Sequence, residues 1–218
     1  MPTAYFDLDK TVLGVNSATL WVRSELREGH IRWWMAARAA TWIGRYQLGL
    51  ARMDHAVLKA IASLKGQPED VLAARTEAFW HREVRQTIRP QAIDAIERHR
   101  QAGDRVVLLT SSSVYLSRLA QRELGLDEIL CNRFEVVDGF FTGRPEGALC
   151  YGNGKLTHAW ADAKAHGQDL SAAAFYTDSH SDLPVLEVVA QPVVVTPDPR
   201  LRRTAKARGW PIRDWSTA

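Results

Sequence analysis

Two aspartates two residues apart, Asp7 and Asp9, follow the short apolar run Ala4-Tyr5-Phe6 and precede Lys10-Thr11. On an extended chain residues i and i+2 face the same side, so both carboxylates can meet one ligand. Carboxylates held together repel, and they coexist only with a shared proton or a cation. A hard, oxygen-seeking ion such as Mg2+ suits them best. Taken alone, the same residues also suit an acidic turn with capping duties.

Three later features extend the pattern. Thr110 ends a second apolar run, Arg105-Val106-Val107-Leu108-Leu109-Thr110, and Ser111-Ser112-Ser113 follows it at the start of a helical pattern. Hydroxyls and unpaired backbone N–H groups at such a place suit a phosphate. Lys155 follows Gly152-Asn153-Gly154, a flexible turn that would present one fixed cation to an anionic substrate. Asp178 and Asp182 follow the run Phe175-Tyr176-Thr177 as Asp-Ser-His-Ser-Asp, the first at a strand end where a metal shared with Asp7 would lie. Each feature is weak alone. All four at or beside the carboxyl ends of apolar runs are strong, because open parallel sheets gather their ligands there.

The elements that must position these residues are legible as alternating patterns. Short continuous apolar runs at 4–8, 105–110, 172–177 and 192–196 read as strands buried on both faces of a parallel sheet. Helical patterns at 90–101, 114–124, 155–164 and 183–189 separate them, which predicts a doubly wound, mostly parallel α/β core. A βαβ crossover takes about 30 residues, yet the first two runs are separated by 9–104. The excess is helical in pattern, is broken at Gly66-Gln67-Pro68, and holds five of the eight tryptophans: Trp21, Trp33, Trp34, Trp42 and Trp80. We read residues 16–85 as an inserted all-helical cap, and residues 1–15 with 86–218 as the core domain. Within the core, 134–143 carries Asp138-Gly139 between apolar runs, a hairpin signal that adds an antiparallel ribbon to one sheet edge.

Composition removes several alternatives. The chain has 218 residues, 46% hydrophobic and 24% charged, which excludes wholesale disorder. A formal charge of +3 is too small to argue for nucleic acid. Two cysteines, Cys131 and Cys150, cannot build a disulfide framework or a four-thiolate zinc site, and read as buried small hydrophobes. The seven histidines form no HExxH or His-x-x-x-His pair. The longest apolar stretch, 31–50, contains Arg32, Arg38 and Arg45, each costing about 2.5–3.5 kcal/mol near a bilayer centre. It is therefore read as a helical hairpin with its tryptophans packed inside. The first residues show no basic region followed by a long apolar core, so a cytoplasmic location is expected. Arg200, Arg202, Arg203, Lys206 and Arg208 form a basic helix capped by Asp198-Pro199 and stopped by Gly209, with its charges in solvent.

With these motifs in this order, the sequence resembles the haloacid dehalogenase-like phosphohydrolases, in the phosphoserine-phosphatase-like branch that carries a helical cap. The resemblance covers essentially the whole chain. It implies an Mg2+-dependent hydrolase of phosphoric monoesters that works through an aspartyl-phosphate. In those terms Asp7 is the nucleophile, Asp9 the general acid and base, Thr110 the phosphate-binding hydroxyl and Lys155 the charge-stabilising cation. Asp178 becomes a metal ligand, with Asp7 and the backbone carbonyl of Asp9, and Asp182 a carboxylate at or next to the metal. Backbone N–H groups near Leu8 and Ser111 would hold the phosphoryl oxygens. The family's dehalogenases place no aspartate at the position of Asp9, since a halide leaving group needs no proton. With the aspartates in the acid and base roles, His180 has none to fill.

The substrate is expected to be a small phosphorylated metabolite. Phosphoserine phosphatases carry a glutamate for the substrate amine where this chain has Asn16, and they read Ser-Gly-Gly and Gly-Asp-Gly-x-Asn-Asp at the second and fourth motifs. Here these are Thr110-Ser111-Ser112 and Thr177-Asp178-Ser179-His180-Ser181-Asp182. That style resembles a branch for which histidinol phosphate and related substrates have been proposed; phosphoserine is the second choice. An alternative of another class is a membrane- or partner-binding module with an idle site. Such a site would be expected to lose one of Asp7, Asp9, Lys155 or Asp178, and none is lost.

Overall fold

The protein is described by a computed structural model over residues 2–34, 41 and 53–216. Its strands are β1 (Thr3–Phe6), β2 (Arg105–Ser113), β3 (Glu128–Val137), β4 (Phe140–Glu146), β5 (Ala174–Thr177), β6 (Gln191–Val195) and β7 (Ile212–Arg213). They form one sheet in the order β4-β3-β2-β1-β5-β6-β7, parallel throughout except for the β3–β4 pair. The chain winds from β1 outward to β3, then returns to β5 on the other side of β1. The carboxyl ends of β1 and β5 therefore border the crevice where such sheets bind ligands.

Eight helices are labelled here: α1 (Ser17–Arg27), α2 (Met53–Ala62), α3 (Glu69–Phe79), α4 (Pro90–Gln101), α5 (Val114–Leu124), α6 (Asn153–Ala165), α7 (Leu183–Leu186) and α8 (Pro199–Arg208). Ala4 and Phe6 enter a core with α4, α5 and the end of α3, whereas Tyr5 enters a second core with α6, α7 and α8. Burial on both faces is the reason β1 has no polar alternation. The basic helix α8 has its expected ends: Asp198 accepts from the N–H groups of Arg200 and Leu201 at 2.8 and 2.9 Å, and Gly209 follows at φ +67°.

The second strand is longer than its apolar run. β2 continues through the serines to Ser113, whose hydroxyl accepts from Leu116 N–H at the start of α5. Leu109 pairs with Leu130 but Ser113 with Asn132, so β2 advances four residues while β3 advances two. The surplus bulges Thr110–Ser112 out of the ladder, as an irregularity at a functional edge commonly does. The hairpin turns at Asp138 and Gly139, both left-handed at φ +51° and +80°, which this turn type demands.

The insertion is helical in its described part, apart from turns. The hairpin does more than extend the sheet, because the insertion docks on it. Gly66 N–H donates to the Phe141 carbonyl (2.8 Å), Phe141 N–H to Gln67 (3.0 Å) and Glu69 N–H to Gly139 (2.9 Å). The Tyr115 hydroxyl donates to Glu69 at 2.9 Å from the core side. The expectation that the 31–50 hairpin packs its tryptophans inside needs correction. Trp80 is fully buried and Trp21 meets Phe79 edge-on at 5.1 Å, but Trp33 is 75% and Trp34 41% exposed. Trp42 and most of the 31–50 hairpin lie outside the described residues. Among the described residues no helix is long and apolar enough to cross a membrane. Cys131 and Cys150 are free and buried, as expected.

Behind the crevice lies a polar network that the sequence did not announce. Asp162 of α6 accepts from the Tyr5 hydroxyl (2.8 Å) and from both terminal nitrogens of Arg105 (2.7 and 2.9 Å). Removing the carboxylate strands a largely buried guanidinium, so Asp162→Ala should cost about 3 kcal/mol, and Tyr5→Phe about 1 kcal/mol. Urea denaturation reads both. Arg105→Met placed on Asp162→Ala should recover part of the loss, and strict additivity of the two changes would contradict the network.

Candidate active site

β1 delivers Asp7 one residue past its end, where the Asp7 N–H donates to the Tyr176 carbonyl of β5 at 2.9 Å. The chain then coils through a wide turn, Leu8–Val12, closed by Leu13 N–H on the Leu8 carbonyl (2.8 Å). Leu8, Thr11 and Val12 anchor the turn in the core, and Lys10 takes φ +57°, a conformation that costs most non-glycine residues energy. Asp9 is half-buried, and its Oδ1 accepts from the Ser17 N–H at 2.8 Å. Its carboxylate thus faces the N-terminus of α1, the first helix of the insertion.

Lys155 approaches from the first turn of α6. A side chain at Gly154 would put Cβ 1.9 Å from the Leu149 carbonyl oxygen, so only glycine permits this entry. The Lys155 ammonium is buried and donates to Asp7 Oδ1 and to Asp182 Oδ2, each at 2.7 Å. The Thr177 hydroxyl donates to the same Asp182 oxygen at 2.6 Å. Asp178 begins one residue past β5, and its carboxylate is buried without a hydrogen-bonding side chain among the described residues.

Thr110 is buried, and its hydroxyl oxygen accepts from Ser112 N–H at 3.2 Å, inside the bulge. The Ser111 Oγ donates to the Cys150 carbonyl at 2.8 Å, which leaves the backbone N–H there as the group to face a phosphate. Asn132, which drew no attention in the sequence, straps the same region. Its amide donates to the Ser111 carbonyl (2.6 Å) and accepts from Cys150 N–H (2.8 Å), fixing the loop that leads to Lys155. Asn16 is also engaged, capping α1 with Oδ1 accepting from Thr19 N–H (2.9 Å) and Thr19 Oγ1 (2.8 Å). His180 is half-buried, and its backbone N–H donates to Asp198 at 2.7 Å.

The electrostatics follow from this crowding. Burial pushes the Asp7 pKa up and Lys155 pulls it down, but Asp182 and Asp9 add repulsion, leaving it raised to about 7. Burial raises Asp9 above the ordinary carboxylate range against the Ser17 hydrogen bonds, and raises Asp178 well above it, with Asp7 and Asp182 adding to the effect. Burial works against the Lys155 ammonium, yet Asp182 and Asp7 outweigh it and hold the pKa above the usual lysine value.

Asp7 and Asp182 thus share one buried ammonium, with Asp178 buried nearby, and the surplus negative charge fits a divalent cation. The four aspartates expected there are not equally free to hold it. Asp182 spends an oxygen on Lys155 and Thr177, and the Asp9 carboxylate is turned to Ser17. No three His, Cys, Asp or Glu side chains form a metal-holding group among the described residues. Mg2+, which keeps several waters and needs only one or two carboxylates, suits Asp7 and Asp178 with a backbone carbonyl.

A pH test follows from the raised carboxylates. In EDTA the folded chain should bind more protons than the unfolded chain from about pH 4 up to the Asp7 value of about 7. Stability then falls as pH rises through that window. The Tm in EDTA should drop between pH 5 and pH 8 by these groups' contribution, and Asp178→Asn should flatten the drop. An equal slope in both proteins would mean that these carboxylates do not sense one another.

Comparison with known proteins agrees with this geometry. The family model described as haloacid dehalogenase-like hydrolase matches residues 4–187. The phosphoserine phosphatase SerB1 of Mycobacterium tuberculosis is 31% identical over 219 residues, covering 99% of this chain and 71% of the relative. The histidinol-phosphatase of Neisseria meningitidis serogroup C is 28% identical, covering 96% of each chain. The crystal structure of a protein of unknown function from Bordetella pertussis Tohama I superposes with a TM-score of 0.89 at 30% identity, covering 98% of both chains. The chain therefore belongs to the haloacid dehalogenase-like hydrolases, and within them it is a phosphatase.

Proposed function

We propose that the chain hydrolyses the phosphomonoester of a small metabolite, with Asp7 as nucleophile and an aspartyl-phosphate as intermediate. The observation that carries this reading is the buried Lys155 ammonium, 2.7 Å from Asp7 at the mouth of the crevice. A phosphomonoester dianion repels a carboxylate, and a fixed cation beside the nucleophile lowers that repulsion. Mg2+, held by Asp7, Asp178 and the Asp9 carbonyl, would supply further charge neutralisation at the phosphoryl oxygens.

In the first half-reaction an Asp7 oxygen bonds to phosphorus and the P–O ester bond breaks. Asp9 gives its proton to the departing alkoxide, a role that its raised pKa supports. In the second half-reaction the ionised Asp9 takes a proton from water, which attacks phosphorus, releasing phosphate and restoring Asp7. Thr110, with backbone N–H groups near Leu8 and Ser111, would hold the remaining phosphoryl oxygens. Residues 16–85 would act as a cap over a core made of 1–15 and 86–218. Two buried free thiols support a reducing compartment, and we place the reaction in the cytoplasm.

The relatives named histidinol-phosphatase and phosphoserine phosphatase support a small amine-bearing phosphate, histidinol phosphate-like first and phosphoserine second. Both leaving groups carry an amine, so a neutral residue at Asn16 does not separate them. Its capping role supports a structural part instead, and Asn16→Ala should cost about 1 kcal/mol of stability without changing substrate ratios.

The mechanism is tested with Mg2+ and a panel of phosphorylated metabolites. Activity should vanish in EDTA and return with Mg2+, and Asp7→Asn should be inactive and trap no covalent phosphate. Asp9→Asn should slow alkyl phosphates by about 100-fold or more, and p-nitrophenyl phosphate far less, because nitrophenolate leaves without a proton. Equal losses on both substrates would remove Asp9 from the acid role. Full activity without a divalent ion would overturn the scheme.

A further inference from the structure

A cavity of about 610 Å3 opens on the sheet face between α4 and β7, and it shares no lining residue with the catalytic carboxylates. Its size falls within the range of small-molecule sites. Arg98, Tyr176, Pro192, Val193, Arg213 and Trp215 are among its walls, and none of its lining residues is acidic. Arg98 and Arg213 are exposed, and neither has an ion-pair partner among the described residues. Two acids of the neighbouring segments are engaged elsewhere: Asp104 with His99 Nδ1 (2.7 Å), and Asp214 with the Ser216 N–H (2.9 Å).

The rest of the lining is flat and held in place. Phe6 stacks on Tyr176 at 4.4 Å and 7°, and Tyr176 on Trp215 at 5.9 Å and 25°. The Tyr176 hydroxyl lies 2.9 Å from His99 Nε2, so the Asp104–His99 pair fixes the phenol. Two unpaired guanidinium forks beside aromatic and proline walls match a flat ring bearing a carboxylate.

The cavity is also wired to the catalytic turn. The Trp215 N–H donates to Thr196 Oγ1 at 2.9 Å, and Thr196 holds φ +38°, a strained value for a β-branched residue. The Trp215 carbonyl accepts from Arg89 Nη1. Arg89 is buried; its N–H donates to the Val12 carbonyl (2.9 Å) and its Nε to the Leu13 carbonyl (3.4 Å), where the turn after Asp7 ends. The Tyr176 carbonyl itself accepts the Asp7 N–H.

We propose that this cavity is an effector site for a small aromatic carboxylate, with Arg98 and Arg213 taking the carboxylate and the proline and tryptophan walls taking the ring. The effector part rests on the proposed phosphatase activity. An aromatic phosphate is the poorer occupant on that reading, because the enzyme would consume it.

The test uses the Mg2+-loaded protein, indole-3-carboxylate as the probe and indole-3-carboxamide as its neutral twin. Binding is followed by saturation-transfer NMR, and the rate with glycerol 2-phosphate, a substrate without a ring. The carboxylate should bind roughly tenfold or more tightly than the amide. Arg98→Gln/Arg213→Gln, with its Tm checked, should lose that preference. At saturation the wild-type rate should change at least about twofold, a shift of about 0.4 kcal/mol, and the double variant should not respond. No carboxylate binding, or equal binding by the double variant, overturns the site; binding without a change in rate overturns the effector role. If no phosphomonoester is hydrolysed, the catalytic reading fails, while the binding arm still decides the cavity.

Discussion

The Lys155 ammonium, buried between Asp7 and Asp182, is the constraint around which the carboxyl edge of the sheet is built. An isolated buried ammonium would shed its proton rather than remain charged. Two carboxylates at 2.7 Å keep it charged, and each must then be held. Thr177 fixes Asp182 from the end of β5, and the short turn carrying Asp182 is tied by Asp198, which accepts from His180 and donates its own N–H to the Asp178 carbonyl. Gly154 lets α6 enter close enough, and Asn132 straps the loop before it to the bulge of β2. Removing one member of such a cluster leaves the others buried and unbalanced, which is why pairs of this kind are costly to break.

The balance is deliberately incomplete. Burial is the chief reason that Asp7, Asp9 and Asp178 sit above their ordinary pKa range, and neighbouring carboxylates add repulsion at Asp7 and Asp178. A fold gains nothing in stability from this arrangement, and perturbed groups of this kind cluster at functional sites. The cost is borne by two apolar cores on either face of β1 and by the Tyr5–Asp162–Arg105 network, which anchors α6 against the strands behind Lys155.

Much of this was legible in the sequence because it is local. Continuous apolar runs followed by polar residues marked β1, β2, β5 and β6, and α4 and α5 begin and end where their patterns do. Asp7, Lys155 and Asp182, far apart in the chain, were brought forward by their places at or beside strand ends, and they meet. What was not legible depends on partners from elsewhere. The serines after Thr110 read as a helix start, but β2 runs on through them, and only Ser113, which caps α5, pairs with β3 beyond the bulge. Asn132, Thr177 and Arg89 have no distinguishing local pattern, since each acts only through the backbone or carboxylate it meets. Trp33 and Trp34 look like core residues by type, and only their exposure shows otherwise.

Asp9 joins the two kinds of information. Its position in the chain follows from β1, two residues past Asp7, while its orientation is set by Ser17, the first residue of α1. Asn16 caps that helix, so its N-terminus is held by one side chain while it donates to the other. The break inside the insertion is pinned to the hairpin by backbone bonds at Gly66, Gln67 and Glu69. Among the described residues the insertion is therefore held at the hairpin, through Phe79, Trp80 and Val84 in the core, and at the Asp9 carboxylate. A movement of α1 must lengthen the Ser17–Asp9 bond or carry Asp9 with it. The hydrogen bond that fixes this carboxylate is in this way also one joint between the helices and the sheet.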